Sequence, residues 1–274
     1  MTTHEYKIAV LLPTRGRSDA LEKSVKSLYD LADDPDSIQL MLGFDNDDSE
    51  GVTAFQELLQ PWLDEKEISY TAMAFEPMGY TRLNEYVNKL GLESDRDWLV
   101  FWNDDAYMET QGWDTVIANH TGEFKLLAFH THNDHPYSIF PIAPRAWLDH
   151  MGHLSPHQIS DAWLSQQAYM LDIWERISVN VVHDRHDLTG NNGDDTFHNR
   201  IMFEGNPNNL NDFHHPEWNN RRLIETDVLS QYMKSQGLDI SFWENVKLGK
   251  QDPWVKLRDN DPNKQMRQYQ FKRN

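Results

Sequence analysis

The sequence of 274 residues predicts an α/β fold in which helices cover a mostly parallel β-sheet. Three observations support this prediction. Apolar runs and amphipathic segments alternate along the first half of the chain, which is the pattern of βαβ units. The apolar runs are continuous, as in strands that are buried on both faces. Hydrophobic residues make up 39% of the chain and aromatic residues 12%, enough to fill a substantial core.

In the first half, strands and helices are expected to alternate strictly. Each predicted strand is an apolar run, and each predicted helix repeats apolar residues at intervals of three and four positions. The strands are predicted at residues 7–13, 39–44, 68–75 and 97–102, and the helices at 18–32, 53–63 and 79–90.

The second half is less regular. Strands are predicted at residues 125–131 and 138–143, and a short helix at 145–151. Apolar residues at helical spacing predict a longer helix from 155 to 177, followed by a strand at 177–182. Beyond residue 190 the chain is rich in Asn, Gly and Asp, and a helix near 221–235 precedes a polar tail.

Composition excludes several classes of function. The 25 Lys and Arg residues against 44 Asp and Glu residues give a net charge of −19, which argues against broad binding to nucleic-acid backbones or to anionic membranes. The absence of cysteine excludes disulfides, iron–sulfur clusters, thiolate zinc sites and a cysteine nucleophile. No targeting segment is visible and the apolar runs are too short to span a bilayer, so we expect a cytoplasmic protein with no membrane partner.

Acidic residues follow two of the predicted strands. Asp45–Asp48 comes after the second strand, and Asp104-Asp105 comes after the fourth. Ligands of such sheets bind beyond the carboxyl ends of the strands, and paired carboxylates there are ligands for a hard divalent cation. The alternative is a solvated strand end made of turn-forming residues. Adjacent carboxylates repel each other, so a cation or a basic side chain nearby would relieve the pair.

Histidines and a further acid extend this set. His183 and His186 follow the last predicted strand, and a neutral imidazole is a good ligand for a Mn²⁺-like ion. A structural or surface role, or the His-Asp pair of a metal phosphohydrolase, is the alternative. Asp161 lies near the start of a predicted helix, where it is a candidate general base for an acceptor hydroxyl. It would otherwise serve to complement the helix N-terminus.

Three arginines are candidates for binding a diphosphate. Arg15 and Arg17 follow the first strand, and Arg82 lies in the predicted helix that starts near Gly79. Their planar guanidinium groups match phosphate geometry, although surface ion pairing is the default for each. The segment after the first strand matches neither the GxGxxG nor the GxxxxGK phosphate-binding fingerprint.

Residues 7–17, followed by a helix and then by Gly43-Phe44-Asp45-Asn46-Asp47-Asp48, resemble family 2-type glycosyltransferases of the GT-A fold. The resemblance implies that Pro13 and Thr14 contact the nucleotide and that Asp45 recognises uracil or ribose. Asn103-Asp104-Asp105 is similar to the Asp-X-Asp motif of that family, which makes Asp105 the expected metal ligand. Asn103 departs from the motif, which leaves two alternatives: Asp104 stands in for the missing acid, or the metal binds less tightly.

The same resemblance assigns roles to residues further along the chain. The family's Gly-x-x-x-Ala-Arg-Asn helix is matched only in part by residues 79–84, where Arg82 is the residue that carries over, and Asp161 matches the family's catalytic aspartate. His183, with His186 as second choice, matches a metal-binding histidine. The resemblance covers residues 7–190. We therefore expect a GT-A domain over residues 1–204 and a C-terminal extension packed on it over 205–274.

The resemblance implies a metal-dependent glycosyltransferase. The expected donor is a nucleoside-diphosphate sugar, with UDP as the expected nucleotide and Mn²⁺ or Mg²⁺ as the cofactor. A carbohydrate or another small hydroxyl compound is the favoured acceptor, and a modified DNA base is the alternative. Two other functions compete with this one: a metal-dependent nucleotidyl- or phosphotransferase, and a non-catalytic module that binds a glycan or a protein on the same fold.

Overall fold

The computed structural model describes residues 7–131, 134–185, 190 and 212–262. Its centre is an eight-stranded sheet in the order β3-β2-β1-β4-β7-β6-β8-β5. The strands are β1 (Ile8–Thr14), β2 (Ile38–Asp45), β3 (Tyr70–Phe75), β4 (Trp98–Phe101), β5 (Ala106–Met108), β6 (Leu126–Thr131), β7 (Pro141–Pro144) and β8 (Trp174–His183).

The sheet is mixed, and most of its strands share one direction. The four strands β3, β2, β1 and β4 are mutually parallel. Strand β7 is antiparallel to both β4 and β6, so β6 and its parallel neighbour β8 run in the same direction as β1. Strand β5 pairs antiparallel with β8 at the end of the sheet. The carboxyl ends of six strands therefore lie on one edge, which we call the carboxyl edge.

Helices cover both faces of the sheet. They are α1 (Ser18–Asp30), α2 (Ser49–Ala54), α3 (Gln60–Glu65), α4 (Leu83–Glu93), α5 (Trp113–Ala118), α6 (Arg145–Met151), α7 (Ser160–Leu171), α8 (Pro216–Ser235), α9 (Ser241–Lys247) and α10 (Trp254–Asp259). A π-helical segment, Phe55–Leu59, joins α2 to α3, and a 3₁₀ turn, Tyr80–Arg82, leads into α4. In the part of the chain that the structure describes, no helix is long and apolar enough to cross a membrane.

The continuous apolar run of β1 is explained by two cores, one on each face of the sheet. Alternate side chains of a strand point to opposite faces. Val10 packs in one buried cluster with Val25 of α1, whereas Leu11 packs in the other with Leu90 of α4. All of these side chains are fully buried. The predicted α/β class with a mostly parallel, helix-covered sheet is confirmed.

The C-terminal helices α8, α9 and α10 pack on the same side of the sheet as α7. Leu229 of α8, Val246 of α9 and Leu257 of α10 are buried in one cluster with Trp163 of α7. The boundary expected between residues 204 and 205 lies outside the described residues, and the division of the chain at that point stays a prediction.

Two elements of the second half differ from the sequence-based expectation. The helix expected over 155–177 is shorter, because α7 ends at a left-handed residue, Asp172 (φ 61°), and Trp174 already begins β8. The apolar residues after 172 therefore belong to a strand that pairs with β6. Strand β5 was not predicted, since three residues are too few to show a period.

Candidate functional site

The carboxyl edge brings together the acids that the sequence places after β2 and β4. Thr14, the last residue of β1, donates a hydrogen bond from Oγ1 to Asp104 Oδ2 at 2.7 Å. This bond joins two neighbouring strands, since β1 pairs with β4. Pro13 lies beside it, paired in register with Gly43 of β2 and partly exposed. The edge therefore presents Pro13 and Thr14 next to a buried carboxylate.

Arg17 lies across the acidic pair. Its Nη2 is 3.0 Å from Asp104 Oδ1, and its Nη1 is 3.1 Å from Asp105 Oδ2. The carboxylates are buried, with side-chain exposures of 1% and 8%, whereas the arginine side chain is 22% exposed. Two adjacent buried carboxylates repel each other, and the guanidinium compensates their charge. Of the two groups that could relieve the pair, a cation or a basic side chain, the structure shows the second, Arg17.

Asp105 also faces His183, the last residue of β8. Pairing of Ala106 with His183 sets the two side chains side by side, and Asp105 Oδ1 lies 3.3 Å from His183 Nε2. The imidazole packs edge-on against Phe140, with ring centroids 5.0 Å apart. Burial acts to raise the pKa of Asp105, but the contacts with His183 and Arg17 outweigh it and hold that pKa below its usual value.

The Asp105–His183 pair fits a divalent cation. Asp105 Oδ1 is buried 3.3 Å from His183 Nε2 and has no hydrogen-bond partner among the described residues. Mg²⁺ is typically bound through one or two carboxylates and completes its coordination with waters and substrate phosphates. Asp105 supplies one such carboxylate, and the neighbouring imidazole of His183 adds a nitrogen donor. His186, the other predicted metal ligand, lies outside the described residues.

A second group of potential metal ligands lies at the opposite edge of the sheet. His120, Glu123 and Glu175 bring one ligand atom each within 4.8 Å of one another. Lys125 Nζ, however, lies 2.9 Å from Glu123 Oε2 and 2.7 Å from Glu175 Oε2. The lysine ammonium therefore already compensates the charge of these carboxylates. Its position near the start of β6 and β8 separates it from the carboxyl edge.

Asp45, the last residue of β2, is held from two sides. Arg15 Nη1 donates to Asp45 Oδ2 at 2.8 Å and also pairs with the exposed Asp47. The Tyr86 hydroxyl donates to Asp45 Oδ1 and accepts from the backbone N–H of Met78 at 2.9 Å. Burial and the bond to Asp45 raise the pKa of Tyr86 to about 12. The structure thus adds Tyr86, which the sequence did not single out.

Arg82 stands apart from these contacts. It is exposed on the 3₁₀ turn after β3 and donates from Nη2 to Glu85 Oε2 at 2.8 Å. Among the described residues its ion pair is with Glu85, and it does not reach Asp45 or the pair at 104–105. The diphosphate role predicted for Arg82 therefore gains no support from its contacts and stays a prediction.

Asp161 lies in the first turn of α7. Because α7 leads directly into the amino end of β8, its own first turn lies toward the carboxyl edge. Burial raises the pKa of Asp161, against the opposing effects of its backbone hydrogen bond and of the nearby His135 and Arg185. A carboxyl with a raised pKa is suited to accept a proton near neutral pH.

His135 is a polar neighbour of Asp161 that sequence reasoning missed. It follows Asp134, whose φ of 40° marks a tight turn after β6. Its Nδ1 accepts a hydrogen bond from the Tyr137 N–H at 3.1 Å, which leaves the proton of a neutral ring on Nε2. Burial lowers the pKa of His135, while Asp161 opposes that effect. The Asp134-His135 turn after a strand was the available signal.

A buried carboxylate ties the C-terminal extension to the helix that carries Asp161. Glu225 Oε2 of α8 accepts from Trp163 Nε1 at 3.1 Å and from Gln167 Nε2 at 3.3 Å. Its Oε1 lies 2.7 Å from Arg221 Nε and 3.3 Å from His153 Nε2. Burial acts to raise the pKa of Glu225, but the contacts with His153 and Arg221 outweigh burial and hold that pKa below its usual value. The side chain is therefore a carboxylate at neutral pH.

Two groups of described residues build neither a basic groove for nucleic acid nor a set of exposed rings for stacking on a sugar. Arg221 is 44% exposed but pairs with Glu225, and Arg222 is 3% exposed against the rings of Phe213 and Trp163, so these two arginines form no basic groove. Six large aromatic residues that would suit stacking on a sugar are buried: Trp102, Trp113, Tyr137, Phe140, Trp147 and Trp163. The basic residues of the polar tail, at 264–273, lie outside the described residues.

Comparison with known proteins places this geometry in a fold. Neither a family model nor a curated protein matches the sequence. Among solved structures, the mannosyltransferase PcManGT from Pyrobaculum calidifontis, in complex with GDP-Man and Mn²⁺, matches with a TM-score of 0.55 at 10% identity, over 90% of this chain and 80% of that one. S. aureus TarS 1-349 in complex with UDP-GlcNAc matches with a TM-score of 0.58 at 12% identity, over 93% and 82%.

A longer form of the second protein gives the same result. S. aureus TarS matches with a TM-score of 0.51 at 12% identity, over 94% of this chain and 49% of that one. At these identities the likeness concerns the fold. The chain has the Rossmann-like GT-A fold, as its resemblance to that class of glycosyltransferase predicts.

Proposed function

We propose that this protein is a glycosyltransferase that moves a sugar from a nucleoside-diphosphate sugar to a hydroxyl acceptor. The observation that carries the proposal is the carboxyl edge, where Asp105 and His183 form a donor pair fit for a cation beside Arg17. Similar folds hold GDP-Man with Mn²⁺ and UDP-GlcNAc, which supports a sugar nucleotide as the ligand of this edge.

The diphosphate of the donor needs compensating charge. We propose that Asp105 and His183 hold Mn²⁺ or Mg²⁺, which when bound neutralises the charge that develops as the bond to the diphosphate breaks. Arg15 and Arg17 lie at the same edge, and their guanidinium groups match phosphate oxygens. The side chains of this chain thus orient the leaving group and keep its phosphates near the cation site.

Asp45 is proposed to recognise the nucleoside. Its carboxylate oxygens are acceptors only, so they suit a ring N–H of a base or the hydroxyls of a ribose. Tyr86 holds Oδ1, and the partly exposed Arg15 holds Oδ2. A ligand N–H can replace the arginine on Oδ2 while Tyr86 keeps the carboxylate in place. We favour UDP, whose uracil offers one ring N–H.

Asp161 is proposed as the general base. Its carboxylate takes the proton of the acceptor hydroxyl, the oxygen attacks the anomeric carbon, and the bond from that carbon to the diphosphate breaks. The raised pKa of Asp161 makes it a stronger base than an exposed aspartate. In such a transfer the configuration at the anomeric carbon is inverted.

The acceptor is proposed to be a carbohydrate or another small hydroxyl compound. The net charge of −19, the pairing of Arg221 with Glu225 and the burial of Arg222 favour it over a modified DNA base, which needs a basic groove for the phosphate backbone. The nucleotidyl- or phosphotransferase alternative uses the acids for two metal ions. Asp104 is engaged on both oxygens by Thr14 and Arg17, which disfavours a second ion there.

A thermal-shift screen tests the proposal. The protein is heated with UDP, GDP, CDP, ADP and their sugar derivatives, each with Mn²⁺, Mg²⁺ or a chelator. A ligand present at about 100 times its dissociation constant adds about 2.7 kcal/mol to the free energy of unfolding. We expect one nucleotide to raise Tm only in the presence of the metal, and Asp105→Asn to remove the effect. No shift with any combination would contradict donor binding.

A further inference from the structure

We propose that Arg17 is the resident counter-ion of the Asp104–Asp105 pair and that it weakens the binding of a divalent cation to Asp105. A cation that enters the site must compete with a guanidinium already in contact with the same carboxylate. This inference deepens the proposed function by naming what controls metal loading at its site. Its test, however, needs no sugar nucleotide.

The contacts of Arg17 differ from those of an ordinary surface arginine. One nitrogen lies 3.0 Å from Asp104 and another lies 3.1 Å from Asp105, so a single planar group spans two successive carboxylates. Both acids are almost fully buried, and solvent therefore screens their charges little. Within this arrangement the arginine supplies the positive charge that a metal ion would otherwise bring.

The two acids are not equivalent in this arrangement. Asp104 is engaged on one oxygen by the Thr14 hydroxyl and on the other by Arg17. Asp105 gives Oδ2 to Arg17, while its Oδ1 faces His183. Asp105 is therefore the acid that still has an oxygen, Oδ1, available for a cation, and Arg17 is the positive group that competes with that cation.

The side chain of Arg17 is able to move away from Asp105. Arg17 precedes α1 directly and its side chain is partly exposed, whereas the carboxylates it bridges are held by buried strand ends. Losing the contact with Asp105 thus moves a side chain and leaves the sheet unchanged. A displaced guanidinium at the carboxyl edge remains within the region proposed to hold the donor diphosphate, where it can pair with phosphate oxygens.

The test is the affinity of the nucleotide-free protein for Mn²⁺, measured by isothermal titration calorimetry. A positive group in direct contact changes the ionisation of a carboxylate by about tenfold or more, and we expect a similar effect on cation binding. Arg17→Gln should therefore bind Mn²⁺ at least about tenfold more tightly than the wild type. Arg96→Gln is the matched control: it removes a guanidinium that lies before β4, away from the carboxyl edge and 3.6 Å from the exposed Asp95, and should leave Mn²⁺ affinity unchanged.

A second readout comes from thermal unfolding. In chelator, Arg17→Gln should have a lower Tm than the wild type because the acidic pair loses its counter-ion, and Mn²⁺ should restore more of the Tm in the variant. If Arg17→Gln does not fold, Arg17→Lys serves instead, since one ammonium cannot span both acids as a planar fork does; its Mn²⁺ affinity should also exceed that of the wild type.

The outcome separates this inference from the proposed function. An Arg17 variant that binds Mn²⁺ no more tightly than the wild type, including a pair in which neither binds, would overturn the counter-ion role. A nucleotide-dependent rise in Tm could still be observed in that case, and the proposed function would stand. Conversely, tighter Mn²⁺ binding by Arg17→Gln without any nucleotide effect would support the counter-ion and count against the transferase.

Discussion

Replacing Tyr86 by Phe removes one oxygen atom from the support of Asp45. The hydroxyl donates to the buried Asp45 carboxylate and accepts from the Met78 N–H at 2.9 Å. Tyr86, Asp45 and Met78 are each less than 10% exposed, at 6%, 6% and 8%. Water therefore has little access to the groups that lose a partner.

The expected cost follows from these two bonds. A hydrogen bond to a charged group contributes about 1.5–3 kcal/mol, and a buried N–H left without an acceptor costs about 1–3 kcal/mol. Arg15 still contacts the carboxylate, and the Phe ring keeps its packing against Phe75, so part of the loss is recovered. We expect Tyr86→Phe to lower the free energy of unfolding by about 2–4 kcal/mol.

Tyr29→Phe is the matched control for this change. Tyr29 is also buried, at 5% exposure, but its hydroxyl has no hydrogen-bond partner among the described residues. Burial raises its pKa strongly. Removing a buried hydroxyl that is not hydrogen-bonded is neutral or stabilising. The same chemical change at two buried tyrosines should therefore affect stability in different ways.

Unfolding of both variants in urea, monitored by circular dichroism, compares their free energies of unfolding. On heating, the loss at Tyr86 should lower Tm by roughly 4–10 °C for a protein of this size. Tyr86→Phe should also weaken the binding of the nucleotide found in the thermal-shift screen, and Tyr29→Phe should not. Equal effects of the two substitutions on stability and nucleotide binding would refute the assigned support of Asp45.

Two further predictions concern α7. Asp161→Asn should abolish transfer and keep donor binding. The rate of the wild type should rise with pH through an apparent pKa above the usual value of about 4, because the base acts only when it is deprotonated. A pH–rate profile that is flat above pH 4 would contradict this role. Glu225→Ala should lower the free energy of unfolding by about 2–4 kcal/mol, since Trp163 and Gln167 lose a buried, charged acceptor. The exposed Glu244→Ala is its control in a urea titration, and equal effects would refute the buried network.

The central strands were predictable because burial on both faces leaves a continuous apolar run. The run expected at 7–13 forms β1, Ile8–Thr14, and the run expected at 97–102 forms β4, Trp98–Phe101. Parallel direction then places Asp45 and Asp105 on one edge without further information. The helix expected over 155–177 failed because Trp174 and Ile177 suit either period, and pairing with β6 decided for the strand.

Side-chain partners across the sheet were beyond the sequence. The sequence predicts a diphosphate as the partner of Arg17, whereas in the structure Arg17 contacts Asp104 and Asp105, which lie 87 and 88 positions further along the chain. Tyr86 looks like one more apolar residue of α4, and its hydroxyl reaches Asp45 only because β2 and α4 pack together. Composition and periodicity record which residues are buried, whereas these pairings depend on the order of the strands.

Release of nucleoside diphosphate from the sugar nucleotide that raises Tm, in the presence of Mn²⁺ and a hydroxyl acceptor, is the activity that an active site at the carboxyl edge must show. Wild type and Asp105→Asn are compared at equal folded fraction, as judged by circular dichroism. We expect release by the wild type and its loss in Asp105→Asn, because that carboxylate is the acid with an oxygen available for the cation. Equal release by both proteins would contradict the assignment of the active site to the carboxyl edge.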